Sequence, residues 1–445
     1  MKKVLIITYH FPPDAAVGAN RPAKFAKFLP EFGWEPIIYT VKERYYETCD
    51  CTKFEPALKN IKIYRANLIP GPLHVYSRFL YHRRTSSNNL DGHPLVKTKN
   101  QNGVHPIKRL ISSLFRLPDE NQGWIFNILI DGYRIMKDHK ISVFTTSGPP
   151  MSTHVGGLLL KSMTHAKWVA DFRDPWWPTR HNKNTGYRTN FSISLEKWLQ
   201  AKVVRKADVI VSTTPKITKY FRLILPAQER NKCRTITNGF DDDDFMGIEQ
   251  SPRKVHSKIR VSHVGTLYVH RNPEPFFGAL NGLLNKGLIR KEDIEIDLIG
   301  NCTFYNGVSV QELIDKYELS STVRLLGTMP FRKCIESQVD SDALLLFAQG
   351  QPAMIPAKVF EYIKINKPIL ALTESGETKR ILEDFENAFI ADGNKVSDIA
   401  EKFLQLVVAL KNGKNSLGPP EKMRQYDRRS LTETFAGYID IMNQS

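Results

Sequence analysis

Short apolar runs alternate with stretches of helical periodicity along the chain, and this alternation is typical of parallel β-sheets with connecting helices. The first apolar run, residues 3–8, predicts a buried strand, and a loop that ends near Gly18 follows it. Residues 23–32 carry phenylalanines at helical spacing, and residues 36–40 are apolar again. Strand, loop, helix and strand in that order predict a βαβ unit.

The same rhythm recurs in two series, which predict two domains. Apolar runs predict further strands at 142–150, 167–177, 208–214 and 234–245, and then at 260–268, 294–300, 322–327, 342–348 and 368–372. We therefore predict an α/β fold of two Rossmann-like βαβ domains. The expected bounds are 1–240 for the first domain, 241–258 for a linker, 259–420 for the second domain and 421–445 for a C-terminal helix.

One segment of the first half interrupts the rhythm. Residues 85–103 are polar and rich in turn-forming residues, which predicts an exposed loop. Residues 105–118 then place apolar side chains on one helical face with basic residues around it. Such a helix either lies on a membrane surface or faces the core, and the pattern leaves both interpretations open.

Charge is distributed unequally between the two halves. The net charge is +17, but residues 1–240 carry 38 Lys and Arg against 17 Asp and Glu, a net +21, whereas residues 241–445 carry 25 against 29, a net −4. A basic first half favours an anionic partner such as nucleic acid, an anionic membrane or a phosphorylated substrate. Because the basic residues are scattered rather than grouped in a nucleic-acid-binding module, we expect no nucleic acid partner.

Composition and cysteine spacing argue against several classes of protein. No apolar run approaches the roughly 18–20 residues needed to cross a bilayer. The first apolar run is short and soon meets His10, so we predict a strand rather than a signal peptide and expect a cytoplasmic protein. The five cysteines are scattered, without the paired spacing of a zinc site, so we expect no metal.

Candidate chemistry lies in the polar turns after the strands, because ligands of parallel sheets bind beyond the carboxyl ends of the strands. A turn rich in Gly or Pro before a helix offers free backbone N–H groups to a phosphate. Neither a P-loop motif nor a GxGxxG after the first strand is present. Gly265 ends a predicted strand, and Arg271, six residues on, is suited to holding a diphosphate. Arg271 is alternatively a surface side chain at a helix start.

A second candidate pair opens the helix predicted after Pro356. Lys358 lies in the first turn, where a cation opposes the helix dipole unless an anion binds there, and Glu361 lies one turn deeper on the same face. The lysine suits a phosphate, and the glutamate suits the neighbouring hydroxyls of a ribose. The alternative is an ordinary ion pair on a solvated face, worth about 0.2–0.5 kcal/mol.

Seven stretches of the chain together carry a resemblance to a known family. They are YHFPPDAAVGANRPAKFAKFL, LPDENQGW, TTSGPPMSTH, WVADFRDPWW, NGFDDDDF, HVGTLYVHRNP and PAKVFEYIKINKPILAL, in that order. The chain resembles bacterial glycosyltransferases of family 4, and the combination of DFRDPWW with KVFEY and KPIL resembles especially the enzymes that build cell-envelope polysaccharides. The resemblance implies the GT-B fold, in which two Rossmann-like domains face a central cleft and the C-terminal helix crosses back to the first domain.

The resemblance implies roles for residues of the second domain. Glu361 matches the second glutamate of the family's paired-glutamate motif, which holds the ribose, whereas the first glutamate falls on Ala353. The family's two phosphate-binding basic residues fall near Thr266 and Arg271, so one basic residue is missing, and Lys358 is expected to compensate. Backbone N–H groups near a glycine of the first domain are also expected to hold the diphosphate. The donor-binding candidates are therefore Gly18, Gly265, Thr266, Arg271, Lys358 and Glu361.

Candidates in the first domain follow from the same resemblance. His154 and Asp174 are candidates at the reacting sugar or the acceptor hydroxyl, and Arg173 and Trp176 are candidates on the acceptor side. The histidine that many members carry after the fourth strand has no counterpart in the turn Ser-Gly-Pro-Pro, and His154 is only close to it in sequence. Asp174 is alternatively a structural partner of Arg173.

We therefore expect a glycosyltransferase that moves a sugar from a nucleotide diphosphate sugar, with a UDP-sugar favoured, to a lipid-linked or glycan acceptor in envelope polysaccharide synthesis. The resemblance implies retention of the anomeric configuration, without a metal or another cofactor. The second domain is expected to bind the donor and the basic first domain the acceptor. An anionic membrane surface is the expected partner, which would place the protein peripherally on the inner face of the cytoplasmic membrane.

Two other functions stay open from the sequence. One is a nucleotide-sugar epimerase of the same fold, which would change the donor without any acceptor. The other is an inactive scaffold in an envelope-synthesis complex, an interpretation that Ala353 in place of a glutamate keeps open.

Overall fold

The structure, a computed structural model, describes residues 1–50, 58–70, 113–114, 116–176, 189–248, 258–416 and 418–444. By their internal contacts these residues form two compact units. The first comprises Met1–Thr213, Ile217–Ile236 and Thr432–Ser445, and the second comprises Thr214–Lys216 and Thr237–Leu431. The linker predicted at 241–258 lies partly outside the described residues, and the predicted domain bounds stay predictions.

The first unit is built on a seven-stranded parallel sheet. Its strands are β1 (Lys2–Thr8), β2 (Trp34–Val41), β3 (Lys62–Ala66), β4 (Val143–Gly148), β5 (Lys167–Phe172), β6 (Val209–Ser212) and β7 (Cys233–Thr235). Their order in the sheet is β3-β2-β1-β4-β5-β6-β7. The chain leaves β1 in one direction and re-enters at β4 in the other, so a topological switch point lies between these two strands, where such sheets bind ligands.

Helices cover the first unit's sheet, and its central strands β1, β4 and β5 are therefore buried along nearly their whole length. The helices are α1 (Asn20–Phe28), α2 (Gly123–Asn127), α3 (Tyr133–Asp138), α4 (Ser152–Met163), α5 (Asn190–Lys206) and α6 (Pro215–Ile224). A π-helical turn at Ile128–Gly132 joins α2 to α3. The helices approach closely here, because a Cβ on Gly156 of α4 would collide with the Ile128 side chain.

The last helix of the chain belongs to the first unit. The tail forms two helices, α13 (Pro420–Arg424) and α14 (Arg428–Gln444), rather than one. Phe435 of α14 is fully buried and stacks on Phe25 of α1 with ring centroids 4.4 Å apart. Lys2 Nζ lies 2.8 Å from the carboxylate of Asp440. The predicted return of the C-terminal helix to the first domain is confirmed by these contacts.

The second unit is built on a six-stranded parallel sheet. Its strands are β8 (Ile259–Val264), β9 (Ile294–Ile299), β12 (Val323–Gly327), β13 (Ala343–Phe347), β14 (Ile369–Leu372) and β15 (Ala388–Ala391), and a small antiparallel hairpin comprises β10 (Phe304–Tyr305) and β11 (Val308–Ser309). The order β12-β9-β8-β13-β14-β15 places the switch point of this sheet between β8 and β13.

Alternation along the central strand explains the two cores of the second unit. The remaining helices are α7 (Glu274–Asn285), α8 (Val310–Lys316), α9 (Phe331–Asp340), α10 (Lys358–Ile365), α11 (Glu377–Leu382) and α12 (Val396–Lys411). Leu345 and Phe347 of β13 belong to a core that includes α7 and α12, whereas Leu344 and Leu346 belong to a core that includes α10 and α11. Both faces of the sheet are therefore covered.

The sequence missed two of the four edge strands of the described sheets, whereas the runs at 234–245 and 322–327 predicted the other two, β7 and β12. β3 and β15 are edge strands with partly exposed side chains, so they lack the continuous apolar run of a buried strand. The loop predicted at 85–103 lies outside the described residues, as do residues 105–112 and 115 of the amphipathic helix predicted at 105–118. Within the described part of the chain, no helix is long and apolar enough to cross a membrane.

Candidate functional site

The carboxyl ends of β8 and β9 bring two glycines into contact at the switch point of the second unit. The Gly265 N–H donates to the carbonyl of Ile299 over 2.8 Å. Gly300 has a φ of +111° and packs directly on the Gly265 carbonyl, where any Cβ would collide. Only glycine fits this conformation and this approach. The pair leaves an open backbone surface beyond β8.

Two buried side chains brace this end of the sheet. Tyr362 of α10 donates its hydroxyl to the Leu345 carbonyl over 3.2 Å and accepts the Val264 N–H over 3.3 Å. His263 Nδ1 lies 3.0 Å from the same Leu345 carbonyl, so this nitrogen carries the proton. Burial lowers the pKa of His263 to about 3, and its buried Nε2 has no hydrogen-bond partner in the described part of the chain. His263 was not predicted from the sequence, since a histidine inside an apolar strand gives no separate signal.

Arg271 brings a positive charge to the same place. Its Nη1 donates to the Thr266 carbonyl over 3.2 Å, and its guanidinium lies over the Tyr268 ring, 5.0 Å from the centroid. Burial lowers the pKa of this guanidinium. No ion pair of the described residues includes Arg271, so this cation is partly desolvated without a carboxylate. That arrangement favours an anion-binding role over a simple surface arginine.

Lys358 and Glu361 lie in the first turn of α10. The Lys358 side chain reaches Gly265, because its Cε would be 3.4 Å from a Cβ built there. Its Nζ is 3.8 Å from Glu361 Oε2, which is too long for a hydrogen bond. Glu361 Oε2 is buried and has no hydrogen-bond partner among the residues that the structure describes. A buried carboxylate oxygen that no donor satisfies is costly, so an ordinary ion pair explains this geometry less well than a ligand does.

The structure therefore brings together five of the six predicted donor-binding residues: Gly265, Thr266, Arg271, Lys358 and Glu361. We call these five residues the donor-site cluster. Ala353, at the position of the family's first glutamate, lies in the loop before α10, where its carbonyl accepts the Thr214 hydroxyl over 2.8 Å. Residue 353 therefore supplies no carboxylate for recognition of the donor.

The sixth predicted donor residue, Gly18, lies in the first unit beside Arg173. The Arg173 guanidinium donates to the carbonyls of Gly18 and Pro149, and a Cβ on Gly18 would collide with it. Burial lowers the pKa of Arg173. The two carbonyls that its guanidinium binds belong to the loop after β1 and to the loop after β4, so Arg173 connects these two loops. Arg173 thus acts as a structural clamp in this geometry, and its acceptor-side role stays a prediction.

A buried ion pair lies under this clamp. Arg21 of α1 donates from Nε and Nη2 to the Asp171 carboxylate over 2.9–3.1 Å, and both side chains are almost fully buried. Ser147 donates to the same carboxylate over 2.9 Å. Asp171 is therefore neutralised by its own partners. Nearby, Trp176 is 1% exposed and Asp174 is half-buried, beside Arg173.

His154 is fully buried against the end of β4. Its Nδ1 lies 2.9 Å from the Thr146 hydroxyl, and its ring packs on Phe172 with centroids 4.1 Å apart. Burial lowers the pKa of His154 to about 3. This environment favours a packing role, so a catalytic role for His154 stays a prediction with little geometric support.

Nothing in the described part of the chain resembles a metal centre. No group of three or more His, Cys, Asp or Glu side chains there is arranged to hold an ion. The expectation that the protein needs no metal stays a prediction.

Solved structures match the chain over nearly its whole length. The sucrose-phosphate synthase of Thermosynechococcus elongatus matches with a TM-score of 0.64 and 11% identity, covering 100% of both chains. The Anabaena protein HepE in complex with UDP-glucose matches with a TM-score of 0.62 and 14% identity, covering 99% of this chain and 100% of HepE. The lipopolysaccharide outer core galactosyltransferase WaaB matches with a TM-score of 0.57 and 10% identity, covering 98% and 99%.

These matches and the two parallel-sheet units show that the chain has the GT-B fold, as the sequence predicted. At 10–14% identity they show the fold and not the activity. No protein-family model and no curated protein matches the chain in sequence.

Proposed function

We propose that this protein is a glycosyltransferase of the family 4 type that uses a nucleotide diphosphate sugar, with a UDP-sugar favoured. The observation that carries the proposal is the donor-site cluster at the switch point of the second unit. It combines an arginine, a second cation against glycine backbone, and a buried carboxylate oxygen, and within the described residues the arginine has no carboxylate partner and the carboxylate oxygen has no donor. Two cations suit a diphosphate, and a carboxylate suits ribose hydroxyls.

The cluster suits the chemical task of the reaction. The leaving diphosphate gains negative charge as its bond to the sugar breaks, and fixed cations in a partly desolvated site stabilise that charge. Arg271 and Lys358 supply two positive charges from the protein itself. We therefore infer a reaction that needs no metal, with retention of configuration as the resemblance implies.

The acceptor is a lipid-linked or glycan precursor of an envelope polysaccharide, and the basic first unit binds it. Support comes from the net +21 of residues 1–240 and from the resemblance of DFRDPWW and KVFEY to envelope enzymes. HepE binds UDP-glucose and WaaB is a lipopolysaccharide galactosyltransferase, which agrees with this class of donor and acceptor. The site of action is the cytoplasmic face of the membrane, to which the protein binds peripherally.

Thermal unfolding in the presence of UDP, GDP, ADP, CMP and their common sugar conjugates tests the donor site. A ligand at 100 times its dissociation constant stabilises the folded state by about 2.7 kcal/mol, which a melting curve resolves. A shift with one diphosphate and its sugar conjugates, and none with the others, identifies the base. The absence of any shift would contradict the proposal and favour an inactive scaffold.

A nucleotide-sugar epimerase is the second candidate, because the donor-site cluster alone does not distinguish transfer from epimerisation. The two reactions differ in their products. Incubation of the bound nucleotide sugar without an acceptor gives an epimeric nucleotide sugar only with an epimerase, and chromatography of the nucleotide sugars separates the two. An epimeric product would replace the glycosyltransferase proposal.

A further inference from the structure

Several helices of the first unit lie side by side on one face of its sheet. In the order β3-β2-β1-β4-β5-β6-β7, the connections that lead to β4, β5 and β6 all advance in the same direction. Because crossovers between parallel strands are right-handed, the helices of these connections lie on the same face. Among them, α4 packs against α2, against the π-helical turn and against α5. We call residues 123–138, 152–163 and 190–206, which form α2, the turn, α3, α4 and α5, the helical layer.

The outward side of the helical layer carries large apolar side chains. Seven of them are each 40–60% exposed: Phe126, Ile130, Tyr133, Leu159, Met163, Phe191 and Trp198. Within each helical segment they are three, four or seven residues apart, so they share one face. Tyr133 and Met163 line one groove of about 410 Å³, which makes the apolar surfaces of α3 and α4 continuous. Exposed apolar side chains that are grouped in this way mark a binding surface.

The chain itself covers the other face of the same sheet. α1 connects β1 to β2, which is the opposite direction along the sheet, so α1 lies on the opposite face. There α14 packs on α1, with Phe435 fully buried and stacked on Phe25. The last helix thus buries apolar side chains on one face, whereas those of the helical layer stay exposed.

The exposed charges of the helical layer are positive with one exception. Its exposed cations are Arg134, Lys137, Lys197, Lys202, Arg205 and Lys206. Its one exposed carboxylate is that of Asp138. Of its other two carboxylates, Asp131 accepts the Tyr39 hydroxyl over 2.7 Å and Glu196 is buried. This surface therefore attracts an anionic partner and repels a second copy of itself.

Apolar side chains surrounded by cations suit the surface of an anionic bilayer. Aromatic rings with a polar tip lie at the level of the lipid headgroups, and long cationic side chains beside them reach the phosphates. Both types occur together on α5, where Lys202 Nζ lies 5.5 Å from the centroid of the Trp198 ring. The same combination is typical of helices that lie in the interface of a membrane.

We propose that the helical layer is the surface through which this protein binds an anionic bilayer. Its apolar side chains lie among the lipid headgroups, and its cations contact the lipid phosphates. The inference rests on the part of the proposed function that places the protein at the membrane, and it specifies the surface that makes this contact. It does not depend on the donor-site cluster, which belongs to the second unit.

Trp198 is an intrinsic reporter of this contact. Four other tryptophans are at most 1% exposed: Trp34, Trp124, Trp168 and Trp176. Trp177, which lies outside the described residues, is replaced by phenylalanine in every protein tested. The full chain is mixed at low salt with phosphatidylglycerol vesicles, with and without brominated acyl chains. We expect the Trp198 emission to shift to shorter wavelength and to be quenched by the brominated chains, whereas phosphatidylcholine vesicles should leave it unchanged.

A matched pair of phenylalanines measures the apolar contribution. Phe191 of α5 and Phe304 of the hairpin in the second unit are both 60% exposed. Vesicle flotation gives the partition coefficient of each variant. Phe191→Ser should lower it about tenfold, because a phenylalanine ring is no longer removed from water. Phe304→Ser should leave it unchanged.

A matched pair of double variants measures the charge contribution. Lys197→Gln with Arg205→Gln removes two exposed cations from α5. The partition coefficient should fall about 30-fold, since each cation near an anionic surface contributes about fivefold. Lys286→Gln with Lys291→Gln removes the same net charge at exposed positions of the second unit and should have a far smaller effect.

Two results would overturn the assignment: a Trp198 emission that does not change with vesicles that bind the chain, or equal losses in Phe191→Ser and Phe304→Ser. A Trp198 shift that accompanies self-association without lipid, followed by sedimentation, would assign the helical layer to a second copy instead. A chain that binds no vesicles would contradict both this inference and the proposed place at the membrane. The donor-induced thermal shift would still decide the donor site in that case.

Discussion

At the scale of single residues, the candidate donor site contains polar groups that the fold buries without satisfying. Glu361 Oε2 and His263 Nε2 are both buried without a hydrogen-bond partner, and Arg271 has no carboxylate among the described residues. Each such group costs free energy in the folded chain, and a bound ligand recovers part of that cost. The sequence predicted Glu361 and Arg271 through their place after strand ends.

Replacement of Glu361 by glutamine tests its role in binding the donor. A hydrogen bond to a charged group contributes about 1.5–3 kcal/mol, so donor affinity should fall roughly 10- to 150-fold. Removal of a buried carboxylate without a donor should leave the melting temperature of the free chain unchanged or raised. Isothermal titration with the donor measures the first effect and thermal unfolding the second. The matched control is Glu383→Gln, because Glu383 is an exposed glutamate at the end of α11. Equal donor affinities in the two variants would contradict the assignment.

Buried histidines make the stability of the chain depend on pH. Burial lowers the pKa of His154 and of His263 to about 3 from an ordinary value of 6.5. Between these values the unfolded chain binds more protons than the folded chain, so stability is complete above pH 6.5 and falls as the pH drops towards 3. Each histidine contributes at most about 1.4 kcal/mol per pH unit.

Urea unfolding at pH 7, 6 and 5 measures this dependence. In His154→Gln the fall in unfolding free energy over this range should be smaller than in the wild type, because one of the two buried bases is gone. His165→Gln, at an exposed histidine just before β5, is the matched control. A slope in His154→Gln equal to that of the wild type would mean that the folded and unfolded chains protonate His154 alike, which would contradict the lowered pKa.

At the scale of elements, continuous apolar runs predicted the buried strands, and the sites follow from where those strands end. β1, β4, β8 and β13 were all predicted, and these four strands form the two switch points. Edge strands β3 and β15 were missed because their mixed exposure gives no clear period. A contact between His10 and Asp14, with Nδ1 2.6 Å from Oδ2, was also missed: its spacing of four residues lies in a Pro-rich loop, where spacing does not determine which side chains meet.

The glycine contact between the ends of β8 and β9 predicts a coupled loss of stability and binding. Gly300 has a φ of +111°, and a Cβ there would collide with the Gly265 carbonyl. Gly300→Ala should therefore lower the melting temperature and displace the backbone on which the Lys358 side chain rests, weakening donor binding. Thermal unfolding with and without the donor measures both effects.

Gly282→Ala is the matched control for that substitution. Gly282 lies in α7 with no atom near its missing Cβ, so alanine should stabilise the helix by up to about 1 kcal/mol without changing donor affinity. A Gly300→Ala variant that melts and binds like the wild type would show that the two glycines have room to separate.

The C-terminal helix is predicted to be an integral part of the first unit. Phe435 is fully buried, with 0% of its surface exposed to solvent, and it stacks on Phe25. Phe435→Ala should destabilise the first unit by about 3–5 kcal/mol, the usual effect of truncating a buried phenylalanine. Chemical unfolding measures the change, and Ile441→Ala, on the same helix but 66% exposed, is the control. Equal stabilities would mean that α14 is only loosely attached.

At the scale of the whole molecule, the fold followed from the repetition of βαβ units, which is a property of the entire sequence. The distribution of charge is also a property of this scale: the excess of +21 lies in residues 1–240, whereas residues 241–445 carry −4. The GT-B fold does not require this difference, since charge on the surface of a fold reflects its partners more than its architecture. The partner of the basic half is therefore a separate question from the fold.

We predict that the full chain binds anionic lipid vesicles and that salt releases it. Basic residues near an anionic bilayer contribute about 1 kcal/mol each, and salt screens this attraction because the Debye length falls to about 3 Å at 1 M.

Flotation with phosphatidylglycerol vesicles at low and high salt measures binding, with phosphatidylcholine vesicles as the uncharged control. Binding to the anionic vesicles at low salt alone is expected. Equal binding to both lipids would indicate apolar insertion, and no binding under any condition would remove the membrane as a partner. Tight, salt-sensitive binding to single-stranded or duplex nucleic acid in a parallel titration would assign the basic half to that polyanion instead.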